Sequence, residues 1–155
     1  MHPNAENVAA LLHELGVAGS VVELPDPAPT AAAAAAQLDC EVGAIANSLV
    51  FSADGDPLLV LTSGAHRVDT VQVAELMDAQ NITRASPEFV RKATGQPIGG
   101  VAPIGHPAPL RTLVDVWLYT FDVVWAAAGH PHTVFPTTYD ELLRITGGTP
   151  AEVGQ

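Results

Sequence analysis

Thr94-Gly95-Gln96-Pro97-Ile98-Gly99-Gly100-Val101-Ala102-Pro103-Ile104-Gly105-His106-Pro107 holds four glycines, three prolines and no Asp, Glu, Lys or Arg, with an apolar run on either side. Glycine admits close approaches that a Cβ forbids, and proline fixes φ and removes a donor. With Val101 and Ile104 to anchor it, the segment reads as a shaped loop rather than a slack linker. Its N–H groups at Gly99, Gly100, Val101, Ala102 and Gly105 could face a small ligand; the plainer alternative is a tight connection between two elements.

Outward from the loop, the punctuation is strong. Upstream, Ser86-Pro87-Glu88 opens a helix that Gly95 stops, and Ile82-Thr83 is a short strand. Asp69 with Gln72 resembles a capping box ahead of Val73, Leu76 and Met77. Asp54-Gly55-Asp56 is a hairpin turn between an alternating strand, Ala44 to Phe51, and a buried one, Leu58 to Leu61. Downstream, Leu110–Val114, Val123–Ala128 and Thr133–Phe135 read as strands. Thr138 with Glu141 opens a helix that ends at Gly147-Gly148, after which Thr149 to Gln155 reads as frayed. At the start of the chain, Asn4 is the expected cap of a helix carrying Val8, Leu11, Leu12 and Leu15. Ser20–Leu24 reads as a strand closed by Pro25, and Thr30 caps a helix of six alanines. Strands and helices mix without regular alternation and several strands succeed one another like hairpins. The expectation is therefore a mixed α/β (α+β) fold with a curved, barrel-like, mostly antiparallel sheet and helices packed around it.

A length of 155 residues, 48% of them hydrophobic, suits one domain over residues 1–155. No apolar run approaches the ~18 residues needed to cross a bilayer, and the first residues lack a signal-peptide pattern. One cysteine, Cys40, excludes an internal disulfide and a Cys-based zinc cluster. A cytoplasmic protein without membrane contact is expected. Seventeen acidic residues against six basic ones give a net charge of −11. A broad basic patch for nucleic acid cannot be assembled, so any such contact must be small or supported by a partner.

The order of five segments carries a resemblance: Gly43-Ala44-Ile45-Ala46-Asn47-Ser48-Leu49-Val50-Phe51, Leu58–Leu61, Thr94-Gly95 through Gly105, Trp125–Gly129 and Asp140–Gly147. Over about Val17 to Gly147 the chain resembles the YbaK/EbsC family, free-standing relatives of the editing domain inserted in bacterial prolyl-tRNA synthetases. The resemblance implies a curved, barrel-like sheet and hydrolysis of a wrongly attached amino acid, of the Ala or Cys class, from the 3′ end of a proline tRNA. It implies mischarged tRNA and an aminoacyl-tRNA synthetase as partners, with neither cofactor nor metal. It assigns the aminoacyl end to the Gly-x-x-x-Pro loop, here Gly99, Gly100, Val101, Ala102 and Pro103, with substrate groups and a positioned water in place of a protein nucleophile. Fixed N–H donors can stabilise the developing oxyanion of an ester, and a pocket can reject larger side chains by size. The family lysine that meets the terminal nucleotide is Asn47 here, which brings a hydrogen bond but no charge. The alternative is therefore a non-catalytic relative that binds a small ligand, a nucleotide or a synthetase.

Around that site, Gly105 and His106 are expected to wall the pocket, and Asp115 stands where the family often has an aspartate. Arg91 and Lys92, close to the loop, could replace the lysine or form a solvated face. His106, His130 and His132, with Asp115 or Asp122, could in principle hold a metal, but no helical His-x-x-x-His and no Cys-x-x-Cys accompanies them. Cys40, between Asp39 and Glu41, is a poor nucleophile. Ser48 and Ser63 lack a Gly-x-Ser-x-Gly elbow. Trp117 and Trp125 read as core.

Overall fold

The computed structural model describes residues 1–155. The chain runs α1 (Pro3–Glu14), β1 (Val22–Glu23), α2 (Ala31–Leu38), a 3-10 turn (Val42–Ala44), β2 (Ile45–Ala53), β3 (Asp56–Ser63), α3 (Thr70–Met77), β4 (Ile82–Arg84) and α4 (Pro87–Thr94). It continues with β5 (Arg111–Asp115), a second 3-10 turn (Val116–Thr120), β6 (Val124–Ala127), β7 (Thr133–Thr137), α5 (Tyr139–Thr146) and β8 (Thr149–Ala151). One eight-stranded sheet collects all the strands in the order β1-β7-β6-β2-β3-β5-β8, with β4 paired to β2 beside that path. The β1–β7, β2–β3, β2–β4 and β6–β7 pairs are antiparallel; β2–β6, β3–β5 and β5–β8 are parallel. Helices pack against this mixed sheet, as the sequence led one to expect.

The β2–β3 hairpin is the centre. Asp54 and Gly55 both take positive φ, 51° and 95°, as a two-residue hairpin loop requires to match strand twist. β3 is apolar from Leu58 to Leu61 because both its faces are covered there. Leu59 and Leu61 enter a core with Val8, Val101, Phe135 and Leu142, whereas Leu58 and Val60 pack with Val73, Leu113 and Val153. A smaller cluster under α2 joins Ala34, Ala35, Leu24 and Ala28 to Ile45 and Val134. The alanine run thus lies close on the sheet, as its small side chains permit.

Thr30, Asp69, Ser86 and Thr138 cap α2, α3, α4 and α5 as read from sequence. The far halves of the two capping boxes go elsewhere. Gln72 Nε2 donates to the Glu152 carbonyl, and Glu141 accepts from Thr137 Oγ1. At α1 the cap is His2, whose Nδ1 accepts from Asn4 N–H, while Asn4 Nδ2 reaches the Gly129 carbonyl. The frayed C-terminus is corrected outright: β8 pairs in parallel with β5, Ala151 and Val153 are buried, and Val68 bridges to Gly154. The long crossover from β5 hid this strand, since two apolar residues in a short polar tail carry no periodicity. No helix is long and apolar enough to cross a membrane.

Candidate functional site

The sheet forks along one edge of β2. β6 pairs with Ile45 and Ala46, and β4 pairs with Phe51, Ser52 and Ala53. Between them, residues 47–50 pair with β3 alone, so the opposite edge of that stretch has no strand partner. Main-chain polar groups on such an edge call for other partners. The Gln96–Pro103 loop and the Pro29–Ala31 segment close over the gap without filling it. They leave a chamber of about 310 Å³ walled by Pro29, Thr30, Asn47, Ser48, Gly99 and Val101. The same six residues also border a slot of about 30 Å³, which runs on between Ala34, Ala46, Ala127, Trp125 and His130. The chamber has the size of a small-ligand site, and the slot admits about one water or a methyl group.

The loop is built by its own hydrogen bonds. Gln96, 4% exposed, accepts from Ala102 N–H at 2.7 Å through Oε1 and donates to the Ile104 carbonyl through Nε2. Thr94 Oγ1 donates to the Val90 carbonyl and accepts from Gln96 N–H. Gly100 N–H donates to the Pro97 carbonyl at 3.1 Å. The reading of five free amides is therefore corrected: Gly100 and Ala102 are engaged inside the loop, whereas Gly99 and Val101 have no acceptor in the chain and border both cavities. The two glycines have packing reasons as well. Gly99 has φ +89° and lies against Pro29, and a Cβ on Gly100 would sit 2.6 Å from the His130 carbonyl carbon.

The remaining residues named from sequence separate into those at the fork and those behind it. Asn47 borders the chamber, the slot and a third groove on the other side of β2, and its side chain has no hydrogen-bond partner. Ala102 and Pro103 are buried, Gly105 is exposed, and none of the three borders the chamber or the slot. His106 braces the loop from behind, its Nε2 2.8 Å from the Ala102 carbonyl, and burial lowers its pKa against the raising effect of that bond. Asp115, 1% exposed, is a fold hub: its carboxylate accepts from Ser63 N–H and Trp117 N–H and lies 2.8 Å from His66 Nδ1. Arg91 and Lys92 are exposed on α4, outside the cleft. Trp117 is 46% exposed rather than core, beside His66, and Trp125 is half-buried in the slot wall. His130 is stacked between His2 and His132, and Nδ1 of His130 accepts from His132 N–H. Its pKa is lowered by burial first, then by the two neighbouring imidazoles. Burial, then Asp39 and Glu41, raises that of Cys40.

Ser48, set aside from sequence for want of a Gly-x-Ser-x-Gly elbow, stands at the fork. It borders both chamber and slot, and its shielded Oγ is the one buried side-chain polar atom without a partner. Such an orphan marks a place where a ligand or water completes the bonding. Strand alternation offered a signal, since Ser48 shares a face with Ala46 and Val50, which enter the core beside Val101. No carboxylate borders the chamber or the slot, although the chain carries seventeen.

A model of the aminoacyl-tRNA editing domain matches residues 25–145. The proline–tRNA ligase of Nitratidesulfovibrio vulgaris strain DP4 is 31% identical over 102 residues, which is 65% of this chain and 18% of the ligase. That of Solidesulfovibrio magneticus is 30% identical over 125 residues, 75% of this chain and 22% of the ligase. The chain thus spans less than a quarter of these relatives. A crystal structure described as a candidate trans-editing enzyme for prolyl tRNA synthetase superposes with a TM-score of 0.93 at 39% identity, covering 100% of this chain and 99% of that one.

Proposed function

The chain belongs to the aminoacyl-tRNA editing domain family, and from that premise we propose that it edits in trans. In this reading it hydrolyses a small amino acid, of the Ala or Cys class, from a mischarged tRNA, with proline tRNA as the first choice and a prolyl-tRNA synthetase as the functional partner. The observation that carries the proposal is the forked cleft: a ligand-sized chamber whose rim offers unengaged donors and which narrows to a slot between alanines.

The chamber holds the terminal nucleoside, with the Asn47 amide at its rim, and the slot takes the amino-acid side chain. Gly99 N–H, Val101 N–H and the Ser48 hydroxyl are the groups available to stabilise charge on the ester carbonyl oxygen. Water adds to the carbonyl carbon, the ester C–O bond breaks, and the ribose oxygen leaves with a proton. Ser48 has no base in contact with it, which fits a donor and not a nucleophile. Gly100, Ala102, Pro103 and His106 hold the rim in shape from behind, and Asp115 fixes the end of β3. A slot of this size favours small side chains by excluding larger ones.

The second reading, a non-catalytic binding module, rests on Asn47 itself, which brings no charge to that position. Purified protein incubated with Ala-, Cys- and Ser-charged proline tRNA separates the two. Editing is expected to release at least one amino acid well above the buffer rate. Esters that all persist at micromolar protein would leave only the module. Gain of activity in Asn47→Lys alone would identify a degenerate member.

A further inference from the structure

On the far side of Asn47 the chamber is continued by a third groove of about 490 Å³, with Leu49, Phe51 and Thr62 among its walls. Two of the chain's six basic residues, Arg67 and Arg84, border it together with His66. Arg84 also borders the chamber, so the two cavities share Arg84 as well as Asn47. Arg84 stands opposite Phe51 in the β2–β4 register, and antiparallel partners share a face.

The charge of this groove is the reverse of the molecule's. None of its lining residues is Asp or Glu, and the same holds for the chamber and the slot. Arg67 and Arg84 are exposed, and neither forms a salt bridge or a side-chain hydrogen bond within the chain. Arg144, by contrast, is tied to Glu141 and to the Leu15 carbonyl. In a chain of net charge −11, two unpaired guanidinium groups border a trough lined by no Asp or Glu, and guanidinium suits phosphate geometry.

We infer that the groove bordered by Arg67 and Arg84 is a track for the phosphodiester backbone of a single-stranded RNA 3′ end. The terminal nucleoside would occupy the chamber, and the preceding phosphates would pass Arg84 and then Arg67. This deepens the editing proposal and rests on it for the choice of RNA as occupant. It also places at the edge of β4 the positive charge that position 47 lacks. Two arginines are a small electrostatic footprint, so binding is confined to the strand end and saturates within a few nucleotides.

The test is fluorescence anisotropy of a 5′-labelled ribotetranucleotide ending in CCA, titrated across salt concentration, with adenosine and a glutamate-rich peptide as competitors. The proteins are wild type, Arg67→Gln, Arg84→Gln and Arg84→Lys. Each Gln variant is expected to weaken RNA binding about tenfold and to lower the salt slope by about 0.7. Arg84→Lys is expected to restore most of the slope, and adenosine is expected to bind wild type and Arg67→Gln alike, since Arg67 lies outside the chamber. RNA binding equal in wild type and Gln variants overturns the track, as does no RNA binding by wild type or competition by the peptide as strong as by RNA. The ester assay is read separately. Arginine-dependent RNA binding without hydrolysis would sink editing alone, whereas hydrolysis of charged tRNA untouched by both Gln changes would sink the track alone.

Discussion

The cleft has two unlike walls. Gly99 N–H and Val101 N–H are left free at the cavities, but most polar groups of the loop wall are engaged behind its rim: Gly100 N–H with Pro97, Ala102 N–H with Gln96, and the Ala102 carbonyl with His106. On the strand wall they are not: the β2 edge is unpaired over residues 47–50, and Ser48 Oγ and the Asn47 amide have no partner. The contrast teaches that the glycine-rich segment serves both close backbone approach and the two amides it leaves free, while the strand wall owes its free polarity to an interrupted ladder. The sharpest way to break this comparison is Gly100→Ala. The added Cβ would meet the His130 Cα at 2.7 Å and the Pro131 nitrogen at 2.8 Å, and main chain cannot swing aside as a flexible side chain can. A loss of about 3 kcal/mol is expected in urea unfolding. An unchanged midpoint would mean that the loop does not rest on the His130–Pro131 backbone.

Gln96→Leu tests the same wall from inside. The substitution leaves Ala102 N–H and the Ile104 carbonyl buried without their partner, at a cost of about 2 kcal/mol. Hydrogen exchange at Ala102 should accelerate along with the global loss. Exchange at Ala102 as slow as in wild type would show that Gln96 merely fills space.

Much of the fold was legible because it is written in local signals. Thr30, Asp69, Ser86 and Thr138 are caps, Asp54-Gly55 is a turn, and Leu58 to Leu61 is apolar because β3 is covered on both sides. β8 was not legible, since its place is set by a parallel pairing with β5 across α5 and not by its own residues. The site was half legible. Asn47, Gly99 and Val101 do meet around one cavity. Asp115 and His106 were chosen by type and neighbourhood, yet Asp115 ties β3 to His66 and His106 props the loop. No sequence pattern reports which amide is already bonded, nor that two strands share one edge of a third. Read from sequence, Ser48 is weighed only as a nucleophile, and its place at the fork stays unread for that reason.

The strand wall is tested by Ser48→Ala. Removal of an orphan hydroxyl should leave stability unchanged or slightly higher, because no internal bond is lost. If Ser48 donates to the ester oxygen, kcat/KM for charged tRNA should fall about tenfold, or ~1.4 kcal/mol of transition-state stabilisation. A variant as active as wild type would return the donor role to Gly99 and Val101 alone. A variant that loses stability instead would mean that Ser48 has an internal partner.

The smallest effect separates the walls by pH. Burial holds His106 below the ordinary value of 6.5, against the opposing pull of its bond to the Ala102 carbonyl. At neutral pH the ring is therefore uncharged, and in the tautomer that carries the Nε2 hydrogen it donates to that carbonyl. As pH falls through 6.5 the unfolded chain takes up a proton that the folded ring resists, so the unfolded state binds more protons and stability declines with falling pH. The decline ends once the folded ring also titrates. Above that window the contribution is complete. In His106→Gln the side chain can still donate but cannot titrate, so the urea midpoint should fall less steeply between pH 7 and pH 5 than in wild type. His130, whose pKa is lowered too, acts in both proteins and cancels from the difference. Parallel midpoint curves would mean that His106 titrates alike in the folded and unfolded chains, so that its burial is relieved or is offset by the bond to the Ala102 carbonyl.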